Sequence, residues 1–96
     1  MAPEATQITA QASQIGKTFI FQVVLEPDGD GWHVFCPALL SRGASTWGET
    51  KEQAMVHIQE VTQMVVESLI EFGDPLPDET TPGVSVSEGP RVTLSL

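Results

Sequence analysis

Hydrophobic and polar residues alternate along two neighbouring segments of the chain, and this pattern predicts a β-hairpin. Residues 17–26 are rich in β-branched and aromatic side chains, with apolar residues at every second position, so one face of a strand is expected to be buried. The turn signal Pro-Asp-Gly-Asp-Gly occupies residues 27–31, and residues 32–36 have the composition of a return strand. A shorter strand is predicted over residues 43–47, which gives three strands in meander order.

A long amphipathic helix follows these strands. Apolar residues recur at spacings of three and four from Ala54 to Phe72, which is typical of a helix with one face on a core. Thr50 and Gln53 have the spacing of a capping box at the helix start. Gly73 fits the position just after a helix end. The face opposite the apolar stripe is polar and acidic.

The two ends of the chain carry weaker patterns. Residues 1–16 contain one charged side chain and no regular periodicity, so we interpret them as a mobile N-terminal tail, with an added edge strand as the alternative. Alternating apolar residues over 91–96 predict a last strand. The domain is therefore expected to span residues 17–96 in the order β-β-β-α-β. This is an α+β fold with a mostly antiparallel sheet and one long helix packed on it.

Composition and charge limit the classes of function. The chain has 96 residues, which suits one domain, and 13 acidic against four basic side chains give a net charge of −9. Such a surface repels nucleic acids and anionic membranes, so we expect direct binding to neither. A single cysteine excludes an internal disulfide. Without a signal-like start or a long apolar run, a cytoplasmic protein is expected.

Residues that could carry chemistry are scattered along the chain. His33, Cys36 and His57 are the soft metal ligands, and their spacing does not match a zinc site. The serines form neither a Gly-x-Ser-x-Gly elbow nor a Ser-x-x-Lys pair. We therefore expect no metal, no cofactor and no enzymatic activity. An enzyme that uses Cys36 or the His33/His57 pair stays open as an alternative from a different class.

Two surface features point to a binding function. Residues 49–79 contain eight acids against Lys51 alone, which indicates either a solvated helix face or a docking face for a basic partner. Trp32 and Trp47 each lie near a glycine at a strand end, where a tryptophan either packs on the core or anchors an interface. The predicted partner interface comprises Trp47, Glu52, Glu60 and Glu67.

The order of these motifs resembles the HicB-like antitoxin family. That family has a strand, an acidic glycine turn, a strand ending near Pro-x-Leu, and a helix that starts with Gly-[Asp/Glu]-Thr-x-x-[Glu/Gln]-Ala. The resemblance covers residues 17–77, and the chain departs from the family at residues 40–44, where it is slightly longer. The matching positions are Gly31, Pro37, Leu39, Gly48, Glu49, Thr50, Gln53 and Ala54.

The resemblance implies a HicB-like domain over residues 17–96, with a partial RNase H-like fold that lacks a catalytic carboxylate set. Members of the family bind and neutralise HicA, a small basic mRNA-cleaving toxin with an active-site histidine. The leading interpretation is thus a stand-alone antitoxin-like protein that occludes such a toxin. Many members carry a C-terminal DNA-binding domain. Because this chain ends at Leu96, we expect no autoregulatory DNA binding by the chain itself.

The alternative within the same fold is an orphan interaction module without a toxin partner. In both cases an exposed strand edge favours a homodimer or a higher homo-oligomer.

Overall fold

The computed structural model describes residues 3–12, 15–78 and 80–88, which form an antiparallel sheet and a helix packed on one of its faces. The helix is α1 (Lys51–Glu71), and a 3-10 helix, Pro37–Arg42, joins β3 to β4. The α+β class, the antiparallel sheet and the long helix on it are confirmed. The strands are β1 (Glu4–Ala12), β2 (Lys17–Asp28), β3 (Gly31–Phe35), β4 (Ser45–Gly48) and β5 (Val84–Glu88).

The central strand of the sheet is β2. On one side it pairs with β1 along residues 17–25. On its other side it pairs with β5 along residues 17–21 and with β3 along residues 24–28. Because β4 then pairs with β3, β1 forms one edge of the sheet, whereas β4 and β5 lie at the other.

The N-terminal region differs from the tail that the sequence predicts. Residues 4–12 pair with β2 in an unbroken antiparallel ladder, so the tail interpretation is wrong for them and the edge-strand alternative describes them. The physical reason is that Ile8, Ala10 and Ala12 are buried on the core side of the sheet. Two of these three side chains are alanines, which contribute little to a hydrophobic pattern even when they are fully buried.

The other predicted strands agree with the structure to within a few residues. The return strand predicted over 32–36 is β3, and the strand predicted over 43–47 is β4, which begins at Ser45. The last strand predicted over 91–96 lies outside the described residues. The described strand after the helix is β5, which runs antiparallel to β2.

The hydrophobic core lies between α1 and the side of the sheet that faces it. Phe19 and Phe21 on β2 stack with ring centroids 5.8 Å apart, and both are buried. Burial of a large apolar side chain contributes about 1.5–3 kcal/mol, so these residues fix which side of the sheet the helix covers. The largest fully buried side chains are Phe19, Phe21, Val23, Val34, Ile58, Thr62 and Val66, together with Cys36.

The start of α1 is capped as the sequence predicts. The Thr50 hydroxyl accepts a hydrogen bond from the Gln53 backbone N–H at 3.0 Å. The Gln53 side chain reaches back one residue further than in the usual capping box, because its Oε1 accepts from the Glu49 N–H at 2.7 Å. The first bond satisfies a helix-end donor that otherwise lacks a partner, and the second ties the residue before the cap to the first turn.

The end of α1 is a left-handed glycine turn. Gly73 has a φ of 71°, and the N–H of Asp74 donates to the Leu69 carbonyl at 2.9 Å, which is the hydrogen bond of a Schellman motif. Phe72, expected in the core stripe, is instead 72% exposed, because the chain reverses at this residue. In the described part of the chain, no helix is long and apolar enough to cross a membrane.

Candidate functional site

The side of α1 that faces away from the sheet forms the first candidate surface, called here the outer helix face. Every fourth residue of the helix from Ala54 to Val66 is buried against the sheet, so residues half a turn away face solvent. This surface mixes acidic and apolar side chains. Its exposed members are Glu52, Val56, Glu60, Met64, Glu67 and Glu71.

The glutamates of the outer helix face are not neutralised by neighbouring cations. None of them takes part in an ion pair among the described residues. The one basic residue of the helix, Lys51, pairs with Glu4 on β1 and lies 4.7 Å from the ring centre of Trp32, an attractive cation–π geometry. The outer helix face therefore presents a row of uncompensated negative charge.

Trp47 lies on the opposite side of the molecule from this row. The next residue on β4, Gly48, faces the helix, because a Cβ there would lie 2.8 Å from the Ala54 Cα. Successive strand residues alternate between faces, so Trp47 points to the side of the sheet without a helix. The structure thus places Glu52, Glu60 and Glu67 on the outer helix face but does not bring Trp47 to it.

The position of Trp47 depends on a glycine of the preceding hairpin. A Cβ on Gly31 would lie 2.7 Å from Cε2 of the indole and closer still to Cζ2. The indole can therefore cover the β3 backbone only where residue 31 lacks a side chain. Its Nε1 also lies 3.5 Å from the Asp28 carbonyl. The ring remains 42% exposed.

The side of the sheet that carries Trp47 is the second candidate surface, called here the open sheet face. The strand registers place alternate residues of β1–β5 on it. Its apolar residues are half-buried or exposed, and they lie among glutamine, threonine and serine side chains. Its central members are Gln7, Thr9, Ile20, Gln22, Val24, Glu26, His33, Phe35, Ser45 and Trp47.

A row of three polar side chains crosses this face, and the sequence patterns do not predict it. His33 on β3 places Nδ1 3.3 Å from Glu26 Oε1 on β2 and Nε2 2.9 Å from Ser45 Oγ on β4. Glu26 and His33 are directly opposite in the β2–β3 register, so the hairpin turn at 28–31 is the signal that would have paired them. To predict that Ser45 also bonds to His33, one would need the register of a third strand, β4.

The histidine of this row lies between a serine and an acid, as in a catalytic triad. The surroundings of the three side chains, however, are those of a hydrogen-bond network between strands. Acyl transfer needs preorganised backbone donors aimed at the developing oxyanion. The N–H of Ser45 already donates to the Gly43 carbonyl at 2.8 Å. The three side chains lie on exposed strand surface, and their bonds hold β2, β3 and β4 in register.

The remaining candidates for chemistry, Cys36, His57 and His33, do not form one site. Cys36 is fully buried, and this burial raises the pKa of its thiol, which keeps it protonated and a poor nucleophile at neutral pH. His57 donates its Nδ1 proton to the Trp47 carbonyl at 2.8 Å from the helix side, whereas His33 lies on the open sheet face. The described residues contain no group of three or more His, Cys, Asp or Glu side chains that could hold a metal ion.

Two glutamines of the helix, called here the glutamine clasp, cover the second half of the outer edge of β1. Gln63 donates from Nε2 to the Gln11 carbonyl at 2.8 Å and accepts from the Gln11 N–H at 3.0 Å. Gln59 donates in the same way to the Thr9 carbonyl. The side chains thereby occupy backbone groups that a further strand would otherwise pair with.

Comparisons with known proteins find relatives of this chain by sequence identity, two of which are UPF0150 proteins. The chain is 40% identical over 60 residues to the UPF0150 protein ssr1765 of Synechocystis sp., covering 62% of this chain and 73% of that protein. It is 31% identical over 67 residues to the UPF0150 protein Ta0767 of Thermoplasma acidophilum, covering 69% of this chain and 94% of that protein. No family model and no solved structure matches the chain. From its identity to these two proteins and the share of each that it covers, the chain belongs to the UPF0150 family.

Proposed function

We propose that this chain is a non-catalytic, antitoxin-like protein that binds a small basic mRNA-cleaving toxin of the HicA kind and blocks its RNA-binding surface. UPF0150 proteins are generally associated with HicB-like antitoxins. The observation that carries the proposal is the outer helix face, where four glutamates lack cationic partners among the described residues. A ribonuclease surface that attracts RNA phosphates also attracts this row of carboxylates.

The length of the acidic row suits competition with RNA. At about 1.5 Å per residue, Glu52 and Glu71 lie about 28 Å apart along the helix axis, which is long enough to span the binding surface of a small protein. Charge of this kind raises the association rate and orients the partner. Each exposed ion pair adds only about 0.2–1 kcal/mol to affinity.

Apolar side chains between the glutamates supply the rest of the binding energy. Val56 and Met64 are exposed on the outer helix face, one on each side of Glu60 in the sequence. Covering exposed apolar area contributes about 25 cal/mol per Å². The proposed mechanism is therefore steric and electrostatic occlusion, in which the carboxylates steer the toxin and the apolar residues hold it.

The test begins with affinity capture from the native host, with this protein as bait at moderate salt. The expected result is a small basic protein whose RNA cleavage stops when the purified chain is added. Recovery of the bait alone, as a dimer or larger assembly, contradicts the proposal and favours the orphan module.

A charge-reversal pair then locates the surface. Glu60→Lys/Glu67→Lys is expected to weaken toxin binding and to flatten its salt dependence, because two attractive charges become repulsive. Asp28→Lys/Asp30→Lys at the hairpin tip is the matched control, with the same change in net charge at exposed positions away from the helix. Equal weakening by both variants would show a general charge effect, and the outer helix face would not be the binding surface.

A further inference from the structure

We propose that the open sheet face is the interface of a homodimer, in which two copies pack sheet against sheet with their helices outside. This interface is independent of toxin binding, because it uses the opposite side of the molecule from the outer helix face. Two sheets stacked in this way lie about 10 Å apart, with their strand directions within about 30°. Four observations support a second copy as the occupant.

The first observation is the distribution of charge. The chain carries a net charge of −9, so two copies repel unless they meet through a nearly neutral surface. In the described strands, Glu26 and Asp28 are the acidic positions of the open sheet face, and it carries no lysine or arginine. A basic partner would find little to attract it here, whereas an identical chain meets little repulsion.

The second observation is the apolar content of the face. Ile20, Val24 and Phe35 are only partly buried in the single chain, and Trp47 is 42% exposed beside them. Aromatic residues of this kind anchor the centres of protein interfaces. In a symmetric pair each copy contributes the same anchors to the other.

The third observation is the area available. The five strands contain 9, 12, 5, 4 and 5 residues, which at about 3.3 Å per residue and about 4.8 Å between strands cover about 550 Å². A dimer would bury about 1,100 Å² in total, just above the roughly 1,000 Å² that a specific interface requires. Because this area lies near the lower limit for a specific interface, we expect a weak, reversible dimer.

The fourth observation is that the alternative route to a dimer, through strand edges, is restricted. The glutamine clasp occupies outward backbone groups at Thr9 and Gln11, and β4 has only four residues. Three polar residues of the open sheet face are meanwhile hydrogen-bonded within one chain, because His33 bonds to both Glu26 and Ser45. Covering hydrogen-bonded polar groups costs much less than covering unpaired ones.

The experiment is sedimentation equilibrium of the full chain from about 1 μM to about 1 mM, with two variants of equal charge. Gln22→Glu places a carboxylate in the middle of the open sheet face at an exposed position. It is expected to weaken the dimer at least about tenfold, because an unpaired charge becomes buried. Ser68→Glu adds the same charge at an exposed position on α1 and is expected to leave the dimer unchanged. Circular dichroism confirms that both variants fold.

Salt provides a second readout that separates this proposal from toxin binding. Dimerisation of an acidic chain should strengthen as salt rises, since repulsion is screened, whereas binding of a basic toxin should weaken. A chain that stays monomeric over the whole concentration range overturns the proposal. So does a dimer that Gln22→Glu leaves intact. If the chain is monomeric and Gln22→Glu weakens toxin capture, the open sheet face is occupied by that partner.

Discussion

Replacement of Gly48 by alanine tests how closely the helix packs on the sheet. A Cβ at this position would lie 2.8 Å from the Ala54 Cα and 2.9 Å from the Gln53 carbonyl carbon, with the Ala54 N closer still. All three are backbone atoms of the first turn of α1, so they cannot rotate away. Gly48 is not among the glycines with positive φ, so its backbone conformation suits alanine, and the whole penalty comes from contact.

The size of the effect follows from these contacts. Overpacking costs about 1–3 kcal/mol, and we take the upper end because the first turn of α1 is fixed by its cap. Loss of glycine flexibility in the unfolded chain restores about 0.4–1 kcal/mol. The net loss of unfolding free energy is then about 2 kcal/mol. For a domain of this size, this lowers Tm by about 8–16 °C.

Thermal and urea denaturation followed by circular dichroism measure this loss. Gly29→Ala is the matched control, because Gly29 has a φ of 62° and a Cβ there would meet no atom within 4 Å. The penalty of Gly29→Ala comes only from the left-handed backbone conformation and is about 1–2 kcal/mol. The reduced flexibility of the unfolded chain offsets part of it, as for Gly48→Ala. If Gly48→Ala costs no more than Gly29→Ala, the helix is not held against β4 as described.

Three further predictions concern single contacts. Gln63→Ala removes the two hydrogen bonds to the Gln11 backbone, and also the exposed one to Glu67. The loss should cost about 1–2 kcal/mol, and hydrogen exchange at the Gln11 amide should accelerate. Unchanged exchange would contradict the clasp. Burial raises the pKa of the Cys36 thiol above its ordinary value of 9.0, so stability should fall as pH rises from that value through the raised one. Cys36→Ala should remove that part of the fall, measured by urea denaturation at pH about 7 and about 10. Gly31→Ala should displace the Trp47 indole, and acrylamide quenching of tryptophan fluorescence should increase; quenching equal to that of the parent chain would show that the indole does not lie on β3.

The elements that local chemistry specifies were predictable from the sequence. The hairpin of β2 and β3 follows from alternation and from the turn at 27–31, and α1 follows from its stripe and from the Thr50 cap. The acidic outer helix face follows from the same periodicity. In each case the residues that determine the structure lie within a few positions of one another.

Features that depend on distant contacts were not predictable. β1 packs on the core largely through alanines. Whether an alanine is a core residue depends on the strand that pairs with it, and the local sequence does not show this. The polar row at Glu26, His33 and Ser45 needs three strands in register. Phe72 continues the apolar spacing but belongs to the turn that ends the helix. Trp47 was grouped with the helix glutamates by its proximity in sequence, whereas the alternation of β4 places it on the other side of the sheet.

The glutamine clasp has a consequence for the protein as it is synthesised. The backbone of Gln11 is paired by a side chain 52 positions later in the chain. At translation rates of about 5–20 residues per second, about 3–10 s separate the synthesis of these two residues. During that interval the nascent β1–β2 hairpin exposes an uncapped edge to neighbouring nascent chains. The outward backbone groups of Gln11 can therefore be capped only after about two thirds of the chain has been made.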